Sequence, residues 1–397
     1  MMENMYMKKG LAIFLCLIIG IGFIKNGALS QMQKICDYVK QDPKKLDDAI
    51  SMTTIQSDFS NNLFARSQLI DFNGQLLDGL QMNDFYYHSS GFIVTEGDYI
   101  MTPHKYTSTD YEVEQIANFY DFLSENKIGL LYVNAPSKYT DDSVWDKYGI
   151  KAYGNKNTDY FLNRIEQLGI PTIDLRKNME EEKIDVHDLF YRTDHHWTVP
   201  AGLWATQIIA NGLNEYCGHS IDVSIYDKDN YEFITWKNCW LGEQGKKASA
   251  ALVGLDDYTK VTPKFETSYI FKTANGNVEG DFSKFINEDV YNTENDVYMN
   301  TSWHYSYQRI NCVNQNVEHG KILLLCDSYG HVTEPFLSLG VHEVDSLILR
   351  NYDTSKFDLR DYIIKNKYDT VIVCYAQFMI GAHDNVSNAN YRMFTFR

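Results

Sequence analysis

Residues 321–330 read KILLLCDSYG, an apolar run that stops abruptly at an acid, a hydroxyl and a glycine. A continuous apolar run this short reads as a strand covered on both faces, the usual condition of a parallel sheet clad in helices. The surrounding sequence supplies partners of the same texture at 129–133, 171–174 and 370–375, and a fifth candidate at 343–349. Helical patterns fall between them: EQIANFYDFLSENK before the first, YFLNRIEQL between the first two, and 358–366 before the last. Strand alternating with helix predicts βαβ units, hence an α/β domain built on a parallel sheet.

The stretch 218–320 has another texture. YEFITW, SYIFKT and VYMNTSW are short aromatic strands separated by Asn, Gly and Asp, which predicts a β-rich insertion. Residues 92–101, FIVTEGDYIM, read as a hairpin. The expected organisation is a membrane segment in 1–30, then one α/β domain over 31–397 carrying the insertion at about 218–320.

Of 397 residues, 44% are hydrophobic and 14% aromatic, enough for a real core. A formal charge of −17, with no basic block, would repel a polyanion, so nucleic acid is excluded as a partner. The 29 tyrosines suit a surface that meets sugars or peptides, and equally an ordinary core. Residues 11–24, LAIFLCLIIGIGFI, follow Lys8 and Lys9 and precede Lys25, a pattern that enters a bilayer. Ala28-Leu29-Ser30 offers a cleavage site, whereas Lys25 suits an uncleaved anchor; either way the remaining chain works on the extracytoplasmic face, anchored or secreted. Of the cysteines outside that run, Cys326 and Cys374 read as buried thiols, and Cys217 with Cys239 is the pair worth testing for a disulfide. There is no Cys-x-x-Cys, so a structural zinc site has no support.

Reactive groups of an open parallel sheet gather where strands end, near helix N-termini. The run 321–326 delivers Ser328 onto a turn ahead of Thr333-Glu334-Pro335, the expected helix start. There the serine could be a nucleophile, with N–H groups of the turn receiving the charge of a tetrahedral intermediate. The plainer reading is a helix cap. A second motif is YRTDHHWT at 191–198. Asp194 and His196, two apart, can lie on one side of an extended segment, the carboxylate orienting the imidazole. A neutral imidazole so held is the base a serine hydroxyl needs, which makes Asp194, His196 and Ser328 a candidate triad. A structural role, or a metal site from Asp194, His195 and His196, stays open at this point.

YRTDHHWT with the downstream CDSYG resembles the DHHW-motif proteins of Gram-positive bacteria, relatives of the SGNH-hydrolase-like alginate O-acetyltransferases of the cell envelope. The resemblance extends to Asn134-Ala135-Pro136-Ser137-Lys138-Tyr139. It implies an SGNH-like fold with permuted motif order, the Asp-x-His-Trp segment preceding the serine, and assigns acid, base and acyl-accepting nucleophile to Asp194, His196 and Ser328. No second cluster of Asp or His ligands accompanies 194–196 in the sequence, so no cofactor and no metal is expected. Cys326-Asp327-Ser328 departs from the usual Gly-Asp-Ser of SGNH enzymes. Trp236, Trp240 and Trp303 are candidates for a sugar-facing wall, against the plainer reading of an aromatic core. Lys138 and Tyr139 after the first strand, Tyr329 beside the serine, Arg350 after the fifth strand and Gln377 after the last are candidate substrate contacts by position. His331 reads as a solvated group at the cleft edge.

The expected activity is O-acylation of a cell-envelope or secreted polysaccharide through an acyl-serine. The resemblance implies a multi-spanning membrane O-acyltransferase as acetyl donor. With water as acceptor the same triad is a carbohydrate esterase. A metal phosphoesterase built on 194–196 and a non-catalytic polysaccharide-binding protein of the same fold are also compatible with these residues.

Overall fold

The computed structural model describes residues 66–82, 91–286 apart from 96 and 98, 296–298, 310–353, 356–384 and 389–397. The apolar run 11–24 and Trp303 lie outside them. No helix among the described residues is long and apolar enough to cross a membrane. The chain divides into two units, Met1–Leu80 and Gln81–Arg397. The described part of the first is the helix α1 (Arg66–Gly79).

The second unit opens with a short antiparallel pair, β1 (Ile93–Val94) and β2 (Ile100–Met101), which fits the hairpin expected at 92–101. It continues with α2 (Asp110–Glu125), β3 (Gly129–Ala135), α3 (Gly154–Gln167), β4 (Thr172–Asp174), α4 (Leu175–Glu182) and α5 (Val199–Cys217). Then come β5 (Tyr231–Trp240), β6 (Asp256–Pro263), β7 (Tyr269–Thr273), β8 (Gly276–Gly280) and β9 (Asn311–Asn314). The chain ends through β10 (Lys321–Cys326), α6 (Gly330–Gly340), β11 (Glu343–Leu347), α7 (Leu359–Asn366) and β12 (Thr370–Ala376).

Eight strands form one sheet in the order β4-β3-β12-β10-β11-β9-β7-β8. The first five pair in parallel, and β9, β7 and β8 extend the far edge with antiparallel pairings. Strands from the aromatic stretch after residue 218 are thus partly built into the main sheet, while β5 and β6 pair separately. Every residue of β12 and β11 is buried, as is all of β3 and β10 past the first residue. Truncating one such side chain, for example Leu324→Ala, costs about 2–5 kcal/mol.

Helices cover both faces. Alternate residues of a strand face opposite ways. The Tyr132 ring lies 5.1 Å from that of Phe161 on α3, whereas a Cβ on Gly212 of α5 would contact Leu131 and Ile173. α3 and α5 therefore lie on opposite sides of the sheet. Thr198 caps α5, its Oγ1 accepting from the Ala201 N–H at 3.3 Å, and Pro200 pre-sets the first turn. Four residues into α5, Gly202 sits so close to α6 that a Cβ there would lie 2.4 Å from the Val332 carbonyl oxygen. Only glycine allows that approach, which draws the starts of α5 and α6 together.

Register decides where the site forms. Cys326 pairs with Cys374 and Ala376 with Ala135, so β10, β12 and β3 end side by side and their following loops share one mouth. The helix after Ser328 starts three residues earlier than the sequence suggests. The Gly330 N–H already bonds the Asp327 carbonyl at 3.1 Å and the His331 N–H that of Ser328 at 3.2 Å, leaving Pro335 inside α6. Cys217, Cys239, Cys312, Cys326 and Cys374 are all free thiols, so the pairing considered for Cys217 and Cys239 does not form.

Candidate active site

Asp194, His196 and Ser328, from segments 132 positions apart, meet at this mouth. The His196 Nδ1 lies 2.6 Å from Asp194 Oδ1, and its Nε2 lies 2.7 Å from Ser328 Oγ. Asp194 is fully buried, His196 nearly so, and Ser328 is half-buried. Burial, joined by the adjacent His195 ring, pushes the His196 imidazole well below its ordinary range despite the carboxylate beside it, so it is a neutral base at pH 7. For Asp194 burial acts upward, but His196, His195 and the Glu243 N–H together hold it well below the ordinary carboxylate range.

The acid is held by a loop between β5 and β6. The Glu243 N–H donates to Asp194 Oδ2 at 2.7 Å, the Gly242 N–H to Thr193 Oγ1 at 2.8 Å, and the Gly245 N–H to the Thr193 carbonyl at 2.8 Å. A Cβ on Gly242 would come 2.4 Å from Asp194 Cβ, so this cradle needs glycine. Asp256, at the start of β6, accepts the N–H groups of Arg192 at 2.8 Å and Thr193 at 2.9 Å. Neither the loop nor Asp256 carries a sequence pattern that announces this role.

The turn that carries Ser328 is clamped as well. Asp327 accepts the Tyr329 N–H at 2.8 Å and the Ala376 N–H at 2.7 Å, tying the serine turn to the end of β12. Burial lifts the Asp327 carboxyl to about 6. Since the N–H groups of Tyr329, Gly330 and His331 bond Asp327 and Ser328, they are not the open donors the turn suggested for an oxyanion. Trp197 Nε1 donates to the Tyr329 carbonyl and the Tyr329 hydroxyl to that of His195, joining the two motifs.

His195, its ring centroid 3.7 Å from that of His196, lines a cavity of about 210 Å³ together with Lys138, Tyr139 and Tyr329. Lys138 is buried, and its Nζ donates to the carbonyls of Ile100 at 2.9 Å and Arg192 at 2.8 Å. Burial pushes this ammonium down to about 7. Arg350 and Gln377 do not line that cavity. Arg350 donates to Asn390 Oδ1 at 2.7 Å, and Gln377 donates to Asn155 Oδ1 at 3.3 Å beside a neighbouring cavity. His331 is buried next to Glu334 rather than solvated, because α6 has already begun at that point. Trp240 is buried 4.5 Å from the Tyr191 ring, a core position, and Trp236 is half-buried under Lys260.

Asp194, His195 and His196 form the one group among the described residues whose donor atoms could converge on a metal, all within 4.8 Å of one another. There, both ring nitrogens of His196 already face Asp194 and Ser328.

Residues 95–227 match the family model for the SGNH hydrolase-like domain of the acetyltransferase AlgX. The matched stretch includes Asp194 and His196 and stops short of Ser328. The fold is similar to that of Bacillus cereus PatB1, with 20% identity, TM-score 0.60, 77% of this chain covered and 99% of that one. It is similar also to a DHHW family protein from Eubacterium siraeum, with 13% identity, TM-score 0.55, and 77% and 94% covered. The likeness read from YRTDHHWT and CDSYG therefore extends to the fold. No curated protein matches in sequence.

Proposed function

We propose that this protein is an extracytoplasmic O-acyltransferase that moves an acetyl group onto a cell-envelope or secreted polysaccharide through an acyl-Ser328 intermediate. The reading rests on one observation above all: the contacts from Asp194 to His196 to Ser328, at 2.6 and 2.7 Å, with Asp194 and His196 in the stretch that matches the acetyltransferase family model.

In the first half-reaction His196 Nε2 takes the Ser328 proton as Oγ bonds the acyl carbon, then passes it to the donor's leaving oxygen as that bond breaks. In the second, a sugar hydroxyl gives its proton to Nε2 and its oxygen bonds the acyl carbon. The Oγ–C bond breaks and Ser328 recovers the proton. Asp194 stays ionised and stabilises the imidazolium in both. Acetyl-CoA is cytoplasmic, so a multi-spanning membrane O-acyltransferase supplies the acetyl group, with 11–24 holding the chain at the membrane.

The test is intact-mass detection of an acetyl adduct mapped to Ser328, with turnover of a chromogenic acetyl ester followed with and without oligosaccharide. An adduct whose release accelerates with oligosaccharide supports transfer. Fast hydrolysis indifferent to acceptor makes the enzyme an esterase, and absence of an adduct rejects the acyl-serine mechanism.

A further inference from the structure

We propose that Gln244 and Ser137 form a subsite that recognises hydroxyl groups of the acceptor sugar, an inference that rests on the acetyl-transfer reading. Both line the cavity beside the triad, with Thr102, Tyr329 and Phe378 among its other walls. Gln244 is 9% exposed and Ser137 6%. Gln244 Oε1 and Ser137 Oγ are buried and have no hydrogen-bond partner among the described residues. A buried polar atom left unpaired costs about 1–3 kcal/mol, so two in one cavity mark a place built for a polar occupant.

The chemistry of these atoms selects the occupant. Gln244 Nε2 donates to Thr102 Oγ1 at 3.1 Å, which leaves Oε1, a pure acceptor, as the unpartnered atom of the amide. An acceptor needs a donor; an acetyl ester has none, whereas every sugar hydroxyl is one. Ser137 Oγ donates or accepts, so the pair reads hydroxyls rather than the acyl group. Tyr329 and Phe378, with ring centroids 5.9 Å apart, supply the aromatic walls that the apolar faces of a sugar ring favour. At about 210 Å³ the cavity is smaller than the roughly 300–1,000 Å³ of drug-sized sites, and suits one ring of a polymer. Gln244 follows Glu243, whose N–H holds Asp194, so a ring bound here lies against the triad's supporting loop.

The experiment compares Gln244→Leu and Ser137→Ala with the unaltered protein. Calorimetric titration with cellotetraose and chitotetraose, in a Ser328→Ala background, reads glycan binding; the nitrophenolate burst from nitrophenyl acetate reads acylation. Each substitution is expected to weaken binding of at least one glycan roughly tenfold, the worth of one hydrogen bond, and by far more than it changes the burst. No binding of either glycan, unchanged affinity in both variants, or an equal fall in burst and affinity overturns the subsite. Glycan binding that depends on Gln244 in a protein giving no burst leaves the subsite standing and rejects acyl transfer instead.

Discussion

Trp197 and Tyr329 join the two motifs: the indole Nε1 donates to the Tyr329 carbonyl at 3.0 Å, and the phenol donates to the His195 carbonyl at 2.5 Å. Each residue is the immediate neighbour of a triad member, so the pair fixes the distance between base and nucleophile. Tyr329→Phe leaves the part-buried His195 carbonyl short of a partner. It is expected to lower stability by about 1–3 kcal/mol, with the acylation rate falling further than the stability loss explains. Urea unfolding and single-turnover acylation measured together check this.

Ser328→Ala and His196→Ala should each abolish the acyl adduct. Asp194→Asn is expected to keep the fold and cut turnover by roughly 10⁴-fold, because the amide no longer holds the neutral imidazole in the productive tautomer. Stopped-flow acylation with intact-mass detection separates the three.

Acid should destabilise the protein as pH falls below the ordinary histidine range. The His196 imidazole is held below its ordinary value of about 6.5, so the unfolded chain binds a proton that the folded chain refuses. Its contribution to stability is present above pH 6.5 and is lost as pH falls below it. His196→Gln should flatten that part of the stability profile in denaturant titrations across the range. In wild type the acid limb of the acylation rate should fall below pH 6.5; a limb centred above 6.5 would contradict the burial argument.

Gly242→Ala places a methyl 2.4 Å from Asp194 Cβ and 2.5 Å from the Thr193 carbonyl oxygen. Neither neighbour can yield without moving the acid, so a loss of about 1–3 kcal/mol and a clear fall in kcat are expected. An equivalent Gly79→Ala change, at a position with open space around it, serves as the control.

What could be read in the sequence follows from burial. β3, β10 and β12 announced themselves because both faces are covered and their runs are continuously apolar. Asp194 and His196 were legible because their partnership is local, two positions apart. Asp256 and the loop at Gly242–Gly245 were not, since their bonds to Thr193 and Asp194 span about 50–60 positions and leave no periodicity. Position alone placed Arg350 and Gln377 at strand ends, but it cannot say which way a loop turns, and both face other partners. The helix start was misplaced at Thr333-Glu334-Pro335 because hydrogen bonding to the Asp327 carbonyl, invisible in composition, begins the turn at Gly330.

The His196–Ser328 hydrogen bond closes a loop of 132 positions. Contacts of such long range form after the local helices have condensed. A chain still emerging from the ribosome therefore carries an inert alcohol at 328, with no base to ionise it. The Ser328 hydroxyl gains its base only when the topology is complete.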